Sequence, residues 1–256
     1  MTAINMKNNI IKVTFLGTGA NGGIPQVDCR CQNCLSFNGS KKLRSSILVE
    51  TNNHKIIIDC GPDFRQQLLK NNLRLEQISG IILTHLHWDH SIGLVELSSG
   101  KPLGIPVIAH QKILKTLKKS EFFGFLFKFG FAKSKKDLTG IKIAFIEVTH
   151  DLNFITFAIK LSVNGKSILF CSDILKFNEK LKNAMKKCKL VIFDGTFLNT
   201  SKHFHICIRE SAPILKRLNN NVMFTHINHS ENTETINRFL KKFNFQIAKD
   251  NLSVII

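Results

Sequence analysis

The stretch Thr84-His85-Leu86-His87-Trp88-Asp89-His90 crowds three imidazoles and a carboxylate into one short turn of chain. It follows the apolar run Ile81 to Thr84, which reads as a strand, and precedes Ser91-Ile92-Gly93-Leu94, where a helix can begin. Alternate residues of an extended chain point to one side. His85 and His87 can therefore reach one cation from the strand end, while Asp89 and His90, at the turn, can face a neighbouring one. Buried His and Asp must each find polar partners, so this density is expensive as mere scaffolding and natural for metal ligation.

Working outward, short strand-like runs recur in the first half: Ile11 to Leu16, Ser46 to Glu50, Lys55 to Asp59 and Val107 to Ala109. Asn52-Asn53 reads as a hairpin turn, and Phe64 to Lys70 as a helix after Gly61-Pro62-Asp63. The second half has the same texture. Ile143 to Val148, Phe154 to Leu161, Ser167 to Phe170, Leu190 to Phe193 and Val222 to Thr225 read as strands, with Val163-Asn164-Gly165 as a tight turn. Helical patterns fall at Asn178 to Lys187, Arg209 to Leu218 and Thr233 to Lys242. With 256 residues, 43% of them hydrophobic, the expectation is one α/β domain over the whole chain, two sheets with helices outside: an αββα sandwich. Phe122 to Phe131 places Phe at every second position, a strand's period that Gly124 and Gly130 blur. Core packing is its first reading, with a substrate lid or a homodimer contact as alternatives.

The HxHxDH pattern resembles the signature of the metallo-β-lactamase superfamily, which implies that sandwich fold and a two-metal hydrolytic site. The family's remaining ligands match His150 in Glu147-Val148-Thr149-His150, Asp173 in Phe170-Cys171-Ser172-Asp173, and His226 in Phe224-Thr225-His226. By resemblance, one ion is held by His85, His87, His150 and Asp173, and a second by Asp89, His90, Asp173 and His226. The chain more closely resembles the branch containing pyrroloquinoline-quinone biosynthesis protein B and the cyclic phosphodiesterase of the carbon-phosphorus lyase pathway. Gly22-Gly23-Ile24-Pro25-Gln26, Gly61-Pro62-Asp63-Phe64-Arg65-Gln66-Gln67-Leu68 and Asp194-Gly195-Thr196-Phe197 are most like the quinone protein. That protein typically lacks the first two histidines of HxHxDH. Their presence here, with the ending Thr225-His226-Ile227-Asn228-His229, looks more like the phosphodiesterase.

Cys29, Cys31 and Cys34 form a CxCxxC cluster that suits metal better than disulfides in a reducing compartment. In both relatives such a cluster holds a structural zinc, and the phosphodiesterase resemblance nominates His229 as fourth ligand. A thioredoxin-like reading of Cys31-Gln32-Asn33-Cys34 lacks the βαβ placement and ignores Cys29. Cys60, Cys171, Cys188 and Cys207 read as small buried hydrophobes. Gly17-Thr18-Gly19-Ala20-Asn21-Gly22 fits GxGxxG, but Pro25 and the cysteines occupy the helix that a dinucleotide site needs. These glycines are expected to shape a loop close to the metals. Asp59 and Thr84 are expected to support the ligands by hydrogen bonds.

A formal charge of +18 fits a small anionic substrate and does not repel nucleic acid, but the lysines are scattered, so nucleic acid is the less favoured partner. An RNA-processing nuclease shares HxHxDH yet usually adds a flexible arm, and the candidate insert Leu117 to Lys136 is short and rich in Phe. No apolar run of about 18 residues and no signal-peptide core appear, which predicts a cytoplasmic protein without membrane contact. With no tyrosine, a phenolic acid is excluded. The expected reaction is hydrolysis of a small phosphodiester, cyclic forms included, by a hydroxide shared between two divalent ions, whether zinc, manganese or iron. Asp89 is counted with the catalytic residues. His205, matching a substrate-side histidine of the phosphodiesterase, is expected to protonate the leaving oxygen or hold a phosphate. His54, His110 and His203 are left as structural or surface residues.

Overall fold

Continuous runs of Ile, Val, Leu and Phe cannot be half-solvated, so they form strands buried on both faces. In the computed structural model, which describes residues 10–36, 41–51, 54–98, 104–128, 131–133, 137–138 and 140–256, these strands build two sheets. The first contains β1 (Lys12–Gly17), β2 (Ser46–Glu50), β3 (Lys55–Ile58), β4 (Gly80–Ile82), β5 (Val107–Ile108) and β6 (Ala132–Lys133). The second contains β7 (Asp137–Leu138), β8 (Ile141–Val148), β9 (Thr156–Val163), β10 (Lys166–Cys171), β11 (Leu190–Asp194), β12 (Val222–Thr225) and β13 (Gln246–Ile247). The last strand, β14 (Ser253–Ile255), returns to the first sheet antiparallel to β1. Each sheet changes from antiparallel to parallel pairing part-way across, at β3–β4 and at β10–β11. The predicted Asn52-Asn53 turn, Met1 to Asn9, Phe129 and Gly130 lie outside the described residues.

The helices are α1 (Gln32–Leu35), α2 (Phe64–Lys70), α3 (Trp88–Ser91), α4 (Gln111–Lys119), α5 (Phe125–Lys128), α6 (Glu179–Met185), α7 (Ile208–Leu218) and α8 (Thr233–Leu240). Alternation along the strands assigns each side chain to a layer. Ile168, Phe170, Ile192 and Met223 join Phe15, Ile47 and Ile57 in the core that spans both sheets. Leu169, Cys171, Val191, Phe193 and Phe224 face the other way, against Leu181, Met185, Leu215, Ile236 and Leu240 of α6, α7 and α8. Each such side chain stabilises the fold by about 1.5–3 kcal/mol, which offsets the cost of seating a polar cluster between the sheets. The sandwich expectation holds. Cys60, Cys171, Cys188 and Cys207 are buried, as expected.

Three local readings change. The helix after the histidines begins at Trp88, not Ser91, so Asp89 and His90 sit on a helical turn with His87 at its N-cap. Among the described residues of Phe122 to Phe131 there is no strand: Phe125–Lys128 forms a single helical turn, because packing rather than period decides so short a segment. Phe123 and Phe125 pack on the core with buried Leu126 and Phe131, while Phe122 stays exposed. Helix α4, unread in the lysine-rich sequence, buries only Ile113 and Leu117 and is capped by His110, whose side chain accepts from the Lys112 amide. Among the described residues, no helix is long and apolar enough to cross a membrane.

Candidate metal centre

In open α/β sheets the free backbone groups and chain reversals at the carboxyl ends of strands make the natural ligand crevice. Here the residues just beyond β3, β4, β8, β10 and β12 bring Asp59, His85, His150, Asp173 and His226 to one place, with His87, Asp89 and His90 following at α3. Asp59 and His226 both adopt left-handed backbone, at φ 62°, which turns their side chains inward at the strand ends. Gly61 lets that turn close: a Cβ there would collide with the Asp89 carbonyl.

Two groups of ligand atoms result. His85 Nε2 lies 3.0 Å from His87 Nδ1, His150 Nε2 lies 3.3 Å from the same His87 Nδ1, and Asp173 Oδ1 lies 3.6 Å from His150 Nε2. In the second group, His90 Nε2 is 3.3 Å from His226 Nε2, from Asp89 Oδ2 and from Asp173 Oδ2. His226 Nε2 is 3.6 Å from Asp89 Oδ2 and 3.5 Å from Asp173 Oδ1. Nitrogen ligands about 2.0–2.1 Å from a tetrahedral ion stand about 3.4 Å apart, so these spacings fit divalent metal. Asp173 borders both groups.

The opposite ring atoms are tied down, which settles which nitrogen faces the centre. His85 Nδ1 donates to Thr84 Oγ1 at 2.9 Å, and that hydroxyl donates to Asp59 Oδ2 at 2.7 Å. His90 Nδ1 donates to Asp59 Oδ2 at 2.8 Å, His150 Nδ1 to the Phe204 carbonyl at 3.0 Å, and His226 Nδ1 to Thr196 Oγ1 at 2.9 Å. Ser172 Oγ donates to Asp173 Oδ2 at 2.5 Å. Burial pushes His85, His87 and His150 below the usual imidazole range, leaving neutral rings with lone pairs to offer. Burial opposes the charge on Asp173 as well, but His226 and His90 hold it well below the usual carboxylate range.

His205 lies on the wall of this centre, its Nε2 4.0 Å from Asp173 Oδ1. Its Nδ1 donates to Asp194 Oδ2 at 2.6 Å, and Asp194 also accepts from the Ile174 and Thr196 amides and the Thr196 hydroxyl. Burial works against the charged ring, but Asp194 and Asp173 raise its pKa to about 9. Asp194 and Thr196 thus repeat in the second half what Asp59 and Thr84 do in the first. No metal-ligand motif marks them in the sequence, although both stand at a strand end beside an apolar run, as Asp59 does. A cavity of about 450 Å³ opens over the centre. Ala20 and Asn21 line it, so the GxGxxG loop does border the ligand cluster. His203 is exposed at its margin, whereas His54 bonds Ser79 and His110 caps its helix.

Cys29, Cys31 and Cys34 converge separately. Their sulfurs stand 3.2, 3.5 and 3.6 Å from His229 Nδ1, close to the about 3.5 Å edge of a tetrahedral zinc site with two ligand types. Asn33 Nδ2 donates to the His229 and Glu231 carbonyls, pinning the two segments together. Burial raises both thiols, but hydrogen bonding from His229 brings Cys31 down to about 6 while Cys34 rises to about 11.

The β-lactamase superfamily domain matches residues 54–227, more than half of the chain. This protein belongs to that superfamily. Its fold is similar to a crystal structure of a diphosphatase from the PhnP family, with a TM-score of 0.82 and 25% identity over 96% of this chain and 97% of the other. It is also similar to zinc-bound PqqB from Methylobacterium extorquens, with a TM-score of 0.80 and 22% identity over 95% and 99% of the two chains. Among curated proteins, an octanoyltransferase of Porphyromonas gingivalis is 26% identical over 237 residues, 86% of this chain and 46% of that protein. The chain spans less than half the length of the curated relatives it first matches.

Proposed function

We propose that this protein is a two-metal hydrolase of small phosphoric diesters or the related anhydrides. One observation carries the reading: two groups of ligand atoms share Asp173 and open onto a single cavity with His205 on its wall. Divalent cations at such a centre neutralise phosphoryl charge and lower the pKa of a coordinated water from 15.7 toward about 7. His85, His87, His150 and Asp173 hold one, and Asp89, His90, Asp173 and His226 the other; zinc, manganese and iron all suit this donor set. Asp89 also lines the cavity, where its second oxygen can orient the attacking water. His205, kept protonated by Asp194, donates its Nε2 proton to the leaving oxygen. Cys29, Cys31, Cys34 and His229 hold a structural zinc. The intact His85 and His87 favour hydrolysis over a role like that of the quinone-pathway protein.

The test is metal analysis of the purified protein coupled to a screen of phosphodiester, diphosphate, thioester and lactone substrates. The expected result is hydrolysis of phosphoric substrates that disappears on chelation and returns with added metal. Metal-dependent turnover of thioesters or lactones alone would overturn the substrate class.

A further inference from the structure

The mouth of the cavity has two unlike sides. Asn21, Gln26 and Asn228 line one, beside the cysteine site. The other, around His87 and His150, is lined by Trp88 and Phe204 beside the polar Asp151 and His203. Trp88 at the start of α3 is 51% exposed, and Leu152 and Ile155 in the β8–β9 connection are 88% and 42% exposed. Phe154 lies between those two, its ring 4.4 Å from that of His87. Phe204 is 41% exposed, its ring 6.5 Å from that of His150. Trp88 and Phe204, from separate segments, therefore expose aromatic faces on the lining of one cavity, while Phe154 packs against His87, an exposure that protein surfaces reserve for binding.

Local rules make this side costly to build. His203 and Phe204 both take left-handed backbone, at φ 47° and 65°, which glycine or asparagine would adopt more cheaply. The strain aims the Phe204 carbonyl at His150 Nδ1, but that contact needs no ring. Trp88 is held in place as well. The Arg44 guanidinium lies 5.6 Å from its ring centroid, and Asp63 and the Asn21 carbonyl fix that guanidinium. A phosphoryl group alone leaves most of a cavity of about 450 Å³ unused, a volume typical of sites for larger organic ligands.

We infer that Trp88 and Phe204 form a subsite for a planar aromatic group attached to the phosphoryl group, either a nucleobase or a simple aryl ring. This rests on the hydrolase reading for the phosphoryl end. Stacking against aromatic faces suits flat rings of either source and discriminates against flexible chains, which lose more conformational freedom on an open rim. The polar remainder of the substrate then points toward Asn21, Gln26 and Asn228.

Trp88 is the single tryptophan of a chain without tyrosine, so its fluorescence reports on this subsite directly. Metal-loaded protein is titrated with methylphosphonate, hexylphosphonate, phenylphosphonate and adenosine monophosphate. Phenylphosphonate should quench saturably and bind about tenfold tighter than methylphosphonate and hexylphosphonate, with Phe204→Leu removing most of that preference. Adenosine monophosphate binding tighter than phenylphosphonate supports a nucleobase as the source, and the reverse supports an aryl group. The inference is overturned if phenylphosphonate fails to bind at least threefold tighter than both other phosphonates, or if Phe204→Leu leaves the preference intact. The two readings fail separately. Ring-selective quenching without hydrolysis of any phosphoric substrate overturns the function and keeps the subsite, whereas hydrolysis without ring selectivity does the opposite.

Discussion

The histidine-aspartate centre and the cysteine cluster solve one problem, gathering metal ligands, in opposite ways. The first joins four residues of the His85–His90 run to His150, Asp173 and His226 from the ends of three other strands, buries nearly all seven, and ties four histidines by their far nitrogens to Thr84, Asp59, the Phe204 carbonyl and Thr196. The second takes three ligands from one short, partly exposed loop and borrows only His229 from afar. The centre is seated on strand ends whose two sheets bury a large apolar core of their own. The loop at Cys29 to Cys34 has only a four-residue helix of its own, so what metal does there is closer to folding. Function should therefore fail first at one site and stability at the other.

The largest expected effect tests the centre. Asp173→Ala should abolish turnover and lower the active-site metal content while leaving the thermal midpoint and the cysteine-bound zinc near wild type, and His87→Ala should behave alike. Parallel loss of both metal pools, read by elemental analysis, would break the distinction. Next, His205→Ala should keep its metal and lose turnover by about 100- to 10,000-fold, the usual worth of a positioned acid. An unchanged rate would return His205 to the scaffold. Asp59→Asn removes the charge from the acceptor that orients His90, and should weaken active-site metal affinity by about 10- to 100-fold, measured by chelator competition. Smallest on turnover is His229→Ala. It should release the loop zinc and lower the thermal midpoint while the folded fraction stays active, whereas His226→Ala should lose activity first. Full stability and full zinc content in His229→Ala would place that residue with the catalytic ligands.

The same contrast bears on what could be read from residues alone. Strand spacing and the HxHxDH run suffice to anticipate the sandwich and the ligand positions, because a period of two and a buried cluster of titratable groups leave local marks. Short elements escaped. Lysines hide the narrow apolar stripe of α4, and alternating Phe residues imitate a strand where Phe125–Lys128 coils into a helical turn. Those are choices made by neighbours.

By itself, the sequence determined the identity of the donors, their order along the chain and the strands that end beside them, since residue chemistry and hydrophobic period are local properties. Only the tertiary structure decided which nitrogen each histidine presents, that Asp194 and Thr196 hold His205 as Asp59 and Thr84 hold His90 and His85, and that Trp88 and Phe204 line the same cavity. The reason is physical. Each of these facts depends on where a partner from another part of the chain comes to rest, and that is fixed by packing of the two sheets rather than by any run of neighbouring residues.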